Sequence, residues 1–171
     1  KAKGKCTTDH ISAAGKWLTY RGHLENISGN LFLGAVNAFN DAVGEGKDFR
    51  DGSVDTYPNL AKKYSEAGVR WVAIGDRNYG EGSSREHAAM EPRFRGGVVI
   101  ITRSFARIHE TNLKKQGLVP LTFADPGTYD QIDELDRIDV LGLPPVPGQP
   151  VRCRIVKPDG ATIEFEGLHT F

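Results

Sequence analysis

The segment at residues 75–87, GDRNYGEGSSREH, concentrates groups that could bind an anion. Its GEG triplet at 80–82 would let a ligand approach the main chain closely. Ser83 and Ser84 offer hydroxyl groups, and Arg85 carries a guanidinium suited to a carboxylate or a phosphate. A strand pattern precedes the segment and a helical pattern follows it, so N–H groups at the helix start would face the ligand with about half a positive charge. The pattern predicts an anion site.

The same residues also fit a purely structural role. Ser83 and Glu86 have the spacing of a capping box, in which the serine hydroxyl accepts a hydrogen bond from a main-chain N–H. A dinucleotide fingerprint is excluded because Arg85 stands where its third glycine is required, and there is no Walker sequence. The carboxyl end of a strand is where α/β sheets bind ligands, which favours the anion site over the cap.

A second polar cluster, TTDHIS at residues 7–12, is followed by Arg21 and His23. Asp9 and Arg21 could belong to a charged site. Alternatively, Asp9 caps a short helix and the histidines are ordinary surface groups. A third cluster, which contains His109, lies on a predicted helix whose apolar residues face the core, and there we expect a structural role.

The elements that must hold these groups follow an alternating strand and helix pattern. We predict strands at 69–74, 97–102 and 119–123, and helices at 59–67, from 84 onward and at 104–116. Shorter strands are predicted at 138–141, 151–156 and 161–166, and a long loop at 41–57. The expected fold class is therefore α/β, with a central mostly parallel layer, flanking helices and an appended β portion.

Composition limits the possible functions. The 171 residues fit one domain, and 22 basic residues balance 22 acidic ones, so no net field attracts nucleic acid or an anionic membrane. No apolar run approaches the length of about 18 residues that spans a bilayer. Cys6 and Cys153 are too few for an iron–sulfur cluster, which normally takes about three or four cysteine thiolates.

Three segments together resemble one known family. They are KGKCTTDHISAAG at 3–15, YGEGSSREHAA at 79–89 and SFARIH at 104–109. All three are similar to the C-terminal swivelling domain, domain 4, of mitochondrial-type aconitase, and the likeness continues to the closing LHTF. It covers essentially the whole chain, and three long matches in order make it highly specific. The resemblance implies that residues 1–171 form a single swivelling β/β/α domain.

The aconitase family interconverts citrate and isocitrate through cis-aconitate, using a [4Fe–4S] cluster that three cysteines of its other domains hold. The resemblance therefore implies a tricarboxylic acid cycle hydro-lyase of the mitochondrial matrix, or of a bacterial cytoplasm, that acts on tricarboxylates. It also implies that this chain is a fragment of a longer protein. Its partners would be the cluster-bearing domains, without which it would bind no cluster and be inactive. We expect a monomer that binds neither membranes nor nucleic acid.

Site residues follow from the resemblance position by position. Ser83 corresponds to the serine that takes the carbon-bound proton. Ser84 and Arg85 correspond to groups that bind a substrate carboxylate, and Arg21 to another such contact. Asp9 corresponds to an active-site aspartate. The chemistry agrees, because a serine hydroxyl becomes a usable base only where an adjacent cation stabilises its alkoxide.

Other functions remain open from the sequence. A free-standing small subunit of an isopropylmalate or homoaconitate isomerase has a similar domain and length, although the opening motif at 7–15 favours the aconitase branch. An RNA-binding, iron-regulatory relative is a second alternative, which the zero net charge disfavours. A third is a module that only binds carboxylates or assembles with other domains.

Overall fold

The computed structural model describes residues 1–13, 19, 23–83 and 85–171. Within that part of the chain the helices are α1 (Thr8–Ile11), α2 (Leu24–Ile27), α3 (Tyr57–Glu66), α4 (His87–Phe94), α5 (Arg107–Lys115) and α6 (Thr128–Gln131). The strands are β1 (Glu45–Lys47), β2 (Val54–Thr56), β3 (Trp71–Gly75), β4 (Gly97–Thr102), β5 (Val119–Phe123), β6 (Arg137–Val140), β7 (Val151–Val156) and β8 (Thr162–Leu168).

The main sheet has six strands in the order β3-β4-β5-β8-β7-β6. The first three run parallel, joined by α4 and α5, while β8, β7 and β6 pair antiparallel. The β5–β8 junction is short, with Thr122 opposite Leu168 and Phe123 opposite Gly167. The predicted α/β class is confirmed, and the appended β portion continues the same sheet.

Strand β4 lies at the centre of the parallel half. Its sequence GVVIIT is an unbroken apolar run, as expected of a parallel strand covered on both faces. Ile100 belongs to one core cluster, together with Leu113 of α5, whereas Val99 and Ile101 belong to a second cluster on the other face. Because successive side chains of β4 point to opposite faces of the sheet, this one strand contributes to both hydrophobic cores.

Strands β4 and β5 coincide with their predicted bounds, but α4 begins at His87, three residues later than predicted. The capping box is wrong, since Glu86 takes the N-cap position and no side chain caps the helix. The predicted loop at 41–57 contains a hairpin in which β1 and β2 pair antiparallel. Among the described residues, no helix is both long and apolar enough to cross a membrane.

Candidate active site

The three motif segments lie side by side at the carboxyl edge of the parallel strands. Tyr79 follows β3 and forms a parallel bridge with Phe105, which follows β4. On the other side Thr7 bridges Glu81, supported by a hydrogen bond from the Gly80 N–H to the Cys6 carbonyl of 2.8 Å. The loop that carries Ser83 is therefore held between the N-terminal segment and the loop after β4.

Arg85 joins these segments through its guanidinium. Nη1 donates hydrogen bonds to Asp9 Oδ1 and to the main-chain carbonyl of Ser12, the latter at 2.6 Å. Nη2 donates to Ser83 Oγ at 3.2 Å. The Arg85 side chain is 17% exposed and that of Asp9 63% exposed, so the pair lies at the surface with its cation partly sheltered. The structure brings together Asp9, Ser83 and Arg85, three of the five predicted site residues.

A guanidinium at hydrogen-bonding distance favours the anionic form of a neighbouring hydroxyl over the neutral form. Arg85 stands in that relation to the exposed Ser83. The planar fork of Arg85 also suits a carboxylate, and here it already bonds the carboxylate of Asp9. The arrangement can therefore stabilise negative charge at Ser83 and bind a carboxylate close to it.

The turn that presents Asp9 is fixed by its own capping box. Thr7 Oγ1 accepts from the His10 N–H at 3.3 Å, and His10 Nδ1 accepts from the Thr7 N–H at 3.1 Å. The alternative in which Asp9 caps a short helix is wrong, because Thr7 is the N-cap of α1. His10 thus stabilises the local turn rather than being an ordinary surface group.

The two glycines of the GEG triplet are required for packing. Gly80 has a φ of +84°, and a Cβ there would lie 2.2 Å from Cγ of the buried His109 ring. Gly82 has a φ of +116°, and a Cβ there would lie 3.1 Å from Thr8 Oγ1. The sequence analysis expected an anion to approach the main chain at Gly80. In the structure the His109 ring makes that close approach instead.

A cleft of about 390 Å³ opens beside the cluster formed by Asp9, Ser83 and Arg85. Its lining includes Ser83 and Arg85, together with Arg107, His109 and Asn112 of α5. Burial lowers the pKa of His109 to about 4, so its ring is neutral near neutral pH. His109 contacts Tyr79 with a ring-centroid distance of 5.5 Å. The prediction that the apolar residues of this helix face the core is wrong for Ile108, which is 57% exposed, because α5 turns His109 and Asn112 inward instead.

Glu91 is a residue that sequence reasoning did not select. It lies on α4 and is fully buried, and its Oε2 accepts a hydrogen bond from Ser12 Oγ. Burial raises its pKa to about 8, against the lowering effects of the Ser12 hydrogen bond and the Arg85 charge. The sequence signal that could have pointed to Glu91 is its setting in AAMEP, where an acidic residue stands among the small and apolar residues of a helix.

Arg21 and Ser84, the other two predicted substrate-binding residues, lie outside the described residues. Both cysteines are buried in different core clusters, Cys6 in one and Cys153 in the other. Burial raises the pKa of each thiol to about 12, which disfavours the thiolate that binds metal. No metal-binding group of three or more His, Cys, Asp or Glu residues occurs in the part described. The cysteines of this chain do not fit an iron–sulfur cluster.

Known proteins match this chain over its whole length. The family model for the aconitase C-terminal domain matches residues 1–126. "Probable aconitate hydratase, mitochondrial" from Caenorhabditis elegans is 59% identical over 172 residues, and "Aconitate hydratase, mitochondrial" from Saccharomyces cerevisiae is 57% identical. Each alignment covers 100% of this chain and 22% of the relative, so the chain spans about a fifth of their length.

The fold also occurs in a solved structure. A 3-isopropylmalate dehydratase from Methanocaldococcus jannaschii superposes with a TM-score of 0.54 at 20% sequence identity, covering 96% of this chain and 77% of that one. At this identity the likeness concerns the fold alone. The motif-bearing residues 1–126 match the family model, and aconitases are iron–sulfur-dependent enzymes. This chain belongs to the aconitase C-terminal domain family.

Proposed function

We propose that the full-length protein containing this chain is an aconitate hydratase that interconverts citrate and isocitrate through cis-aconitate. In this proposal the chain supplies the serine base and part of the carboxylate-binding site. The observation that carries it is the Arg85 guanidinium, which bonds both Ser83 Oγ at 3.2 Å and the Asp9 carboxylate. Relatives with 57–59% identity that bear the aconitate hydratase name support the choice of reaction.

Substrate binding is assigned to Arg85, with Ser84 and Arg21 as further carboxylate contacts. A tricarboxylate would replace the exposed Asp9 as a partner of the Arg85 fork. Because Asp9 is 63% exposed, its release would uncover little apolar surface. Arg85 would still be oriented by the Ser12 carbonyl, which the substrate does not displace.

Proton transfer is assigned to Ser83. Its alkoxide, stabilised by the Arg85 charge, would take the proton from the substrate carbon as cis-aconitate forms, and the hydroxyl would return that proton in the reverse step. The guanidinium is already in place before the charge develops, so little reorganisation is needed during the reaction. One arginine would thus serve both substrate binding and activation of the base.

The cluster-binding cysteines are proposed to lie in the other domains of the longer protein, because the two thiols of this chain are buried and unsuited to a metal. Those domains would complete the active site against the exposed Asp9 and Ser83. A location in the mitochondrial matrix is proposed, since the relatives named above carry the word mitochondrial in their names. The monomeric state that the family resemblance implies stays a prediction.

The test is a Ser83→Ala variant of the full-length protein, assayed for cis-aconitate formation from citrate with isopropylmalate as the comparison substrate. Turnover should fall by about 10²- to 10⁴-fold, the usual contribution of a positioned base, with little change in KM. Ser65→Ala, at an exposed serine on α3, is the matched control and should behave as the parent. Unaltered turnover in Ser83→Ala would reject the base, and activity on isopropylmalate alone would reject the substrate.

A further inference from the structure

A buried polar connection leads away from the site behind Arg85. Ser12 Oγ donates to Glu91 Oε2, and the carbonyl of the same Ser12 accepts from Arg85 Nη1 at 2.6 Å. Both Ser12 and Glu91 have 0% exposure, so neither can contact a substrate directly. The connection joins the centre of α4 to the guanidinium at the surface.

We propose that Glu91 and Ser12 are positioning residues for Arg85. Glu91 holds the Ser12 side chain, and the Ser12 carbonyl then sets the direction of the guanidinium toward Ser83 and the substrate carboxylate. The proposal rests on the function proposed above for Arg85, and it adds two residues that the motif resemblance does not include among the site residues.

The connection also joins the two elements on which the site is built. Ser12 is the C-cap of α1, the helix that carries Asp9, and its N–H donates to the Thr8 carbonyl at 2.8 Å. Glu91 belongs to α4, which begins two residues after Arg85. The bond between Ser12 and Glu91 therefore ties the element carrying Asp9 to the element following Arg85. Its loss would let the two site residues shift relative to each other.

A carboxyl group is a costly means of filling space in a core. Glu91 lies on a helix whose Ala88, Ala89 and Pro92 are also buried, and a leucine would pack there without desolvating a polar group. The raised pKa of Glu91 reflects that desolvation, which the Ser12 hydrogen bond and the charges of Arg85 and Arg95 offset only in part. The directional bond to Ser12 is what an apolar side chain cannot replace.

The experiment compares Glu91→Leu, Glu91→Gln and Ser12→Ala in the full-length protein. Glu91→Leu and Ser12→Ala should raise KM for citrate by about tenfold or more, and lower kcat less, because a misdirected fork binds substrate poorly. Glu91→Gln retains an amide oxygen that can accept from Ser12 and should recover most of the affinity. Glu66→Gln, at an exposed glutamate on α3, is the control and should match the parent.

Parental KM in Ser12→Ala would overturn the proposal, as would equal losses in Glu91→Gln and Glu91→Leu. Ser12→Ala and Glu91→Leu break the same bond, so their effects on KM should not add when the two substitutions are combined. Additive effects would contradict the proposal. If Glu91→Leu does not fold, Ser12→Ala and Glu91→Gln still carry the comparison.

A crystal structure of Ser12→Ala separates this proposal from the proposed function. A displaced Arg85 guanidinium would support positioning even if the parent protein does not act on citrate. An unmoved guanidinium would reject positioning even if the parent is active on citrate. The crystal structure therefore tests the positioning of Arg85, and the activity assay tests the proposed function, so the failure of one can be distinguished from the failure of the other.

Discussion

Arg85 and Lys157 are both cations held by carboxylates, yet their surroundings differ. Lys157 Nζ donates to Gln131 O at 2.7 Å, Asp133 at 2.8 Å and Asp136 at 2.5 Å, which uses all three of its N–H groups. Asp136 is 1% exposed, whereas Asp9, the partner of Arg85, is 63% exposed. Burial lowers the pKa of Lys157, but the bonds to Asp133 and Asp136 outweigh this and raise it.

The ion pair of Lys157 with Asp136 therefore holds the fold, whereas we propose that Arg85 is the cation available to a ligand. Lys157 joins the end of β7 to the segment between α6 and β6, with its donors saturated by protein acceptors. Arg85 faces a cleft and its carboxylate partner Asp9 is exposed, so under the proposed function a substrate carboxylate would replace Asp9. Substitutions at the two positions should therefore separate stability from substrate binding.

Among the substitutions that compare these two regions, Arg85→Lys should have the largest effect, on substrate binding. An ammonium cannot reproduce the planar, two-pronged contact of a guanidinium with a carboxylate. We expect kcat/KM for citrate to fall by about 10²- to 10³-fold, with little change in the stability of this domain. Steady-state kinetics of the full-length protein measure the effect. Parental kinetics would show that Arg85 does not bind substrate.

Asp136→Asn should have the opposite profile. It replaces the buried carboxylate partner of Lys157 with a neutral amide and leaves only the exposed Asp133 carboxylate, which should cost about 1.5–3 kcal/mol of stability. Native-state hydrogen exchange at β7 amides of the full-length protein measures that loss. kcat/KM should stay at the parental value, so a parallel fall in activity would contradict the division between the two regions.

Glu91 predicts a pH dependence of stability. Its folded pKa of about 8 lies above the ordinary value of 4.5, so the folded protein binds more protons than the unfolded chain between those values. Stability should fall as pH rises through this window, by about 2 kcal/mol between about pH 6 and 8, and level off above the folded pKa. Hydrogen exchange at β4 amides should show the slope in the parent and lose it in Glu91→Gln. Identical slopes would contradict the raised pKa.

The smallest expected effect is that of Thr7→Ala. Removing the side-chain cap of α1 should cost about 1 kcal/mol, because one N–H at the helix start loses its partner. KM for citrate should rise only slightly, since the Ser12 carbonyl still holds Arg85. Hydrogen exchange in α1 and steady-state kinetics together test this. A loss of affinity as large as that of Arg85→Lys would place the cap in the binding site itself.

Prediction from sequence succeeded where local pattern and tertiary environment agree. Strands β4 and β5 coincide with their predicted bounds because each is a short apolar run between clear breakers. The start of α4 was predicted three residues early because Ser83 and Glu86 match a capping box locally. In the structure the Ser83 carbonyl accepts from the Arg85 N–H, and the Arg85 side chain is held by α1, far away in sequence.

The sequence alone determined the α/β class, the two consecutive βα units and the resemblance that selects Asp9, Ser83 and Arg85, because apolar periodicity and long motifs are local properties. Three features depend instead on tertiary packing: these side chains meet, Gly80 makes room for His109, and Glu91 is buried behind Ser12. Contacts between residues more than 70 positions apart depend on how the β3, β4 and N-terminal segments pack, and no local pattern encodes that geometry.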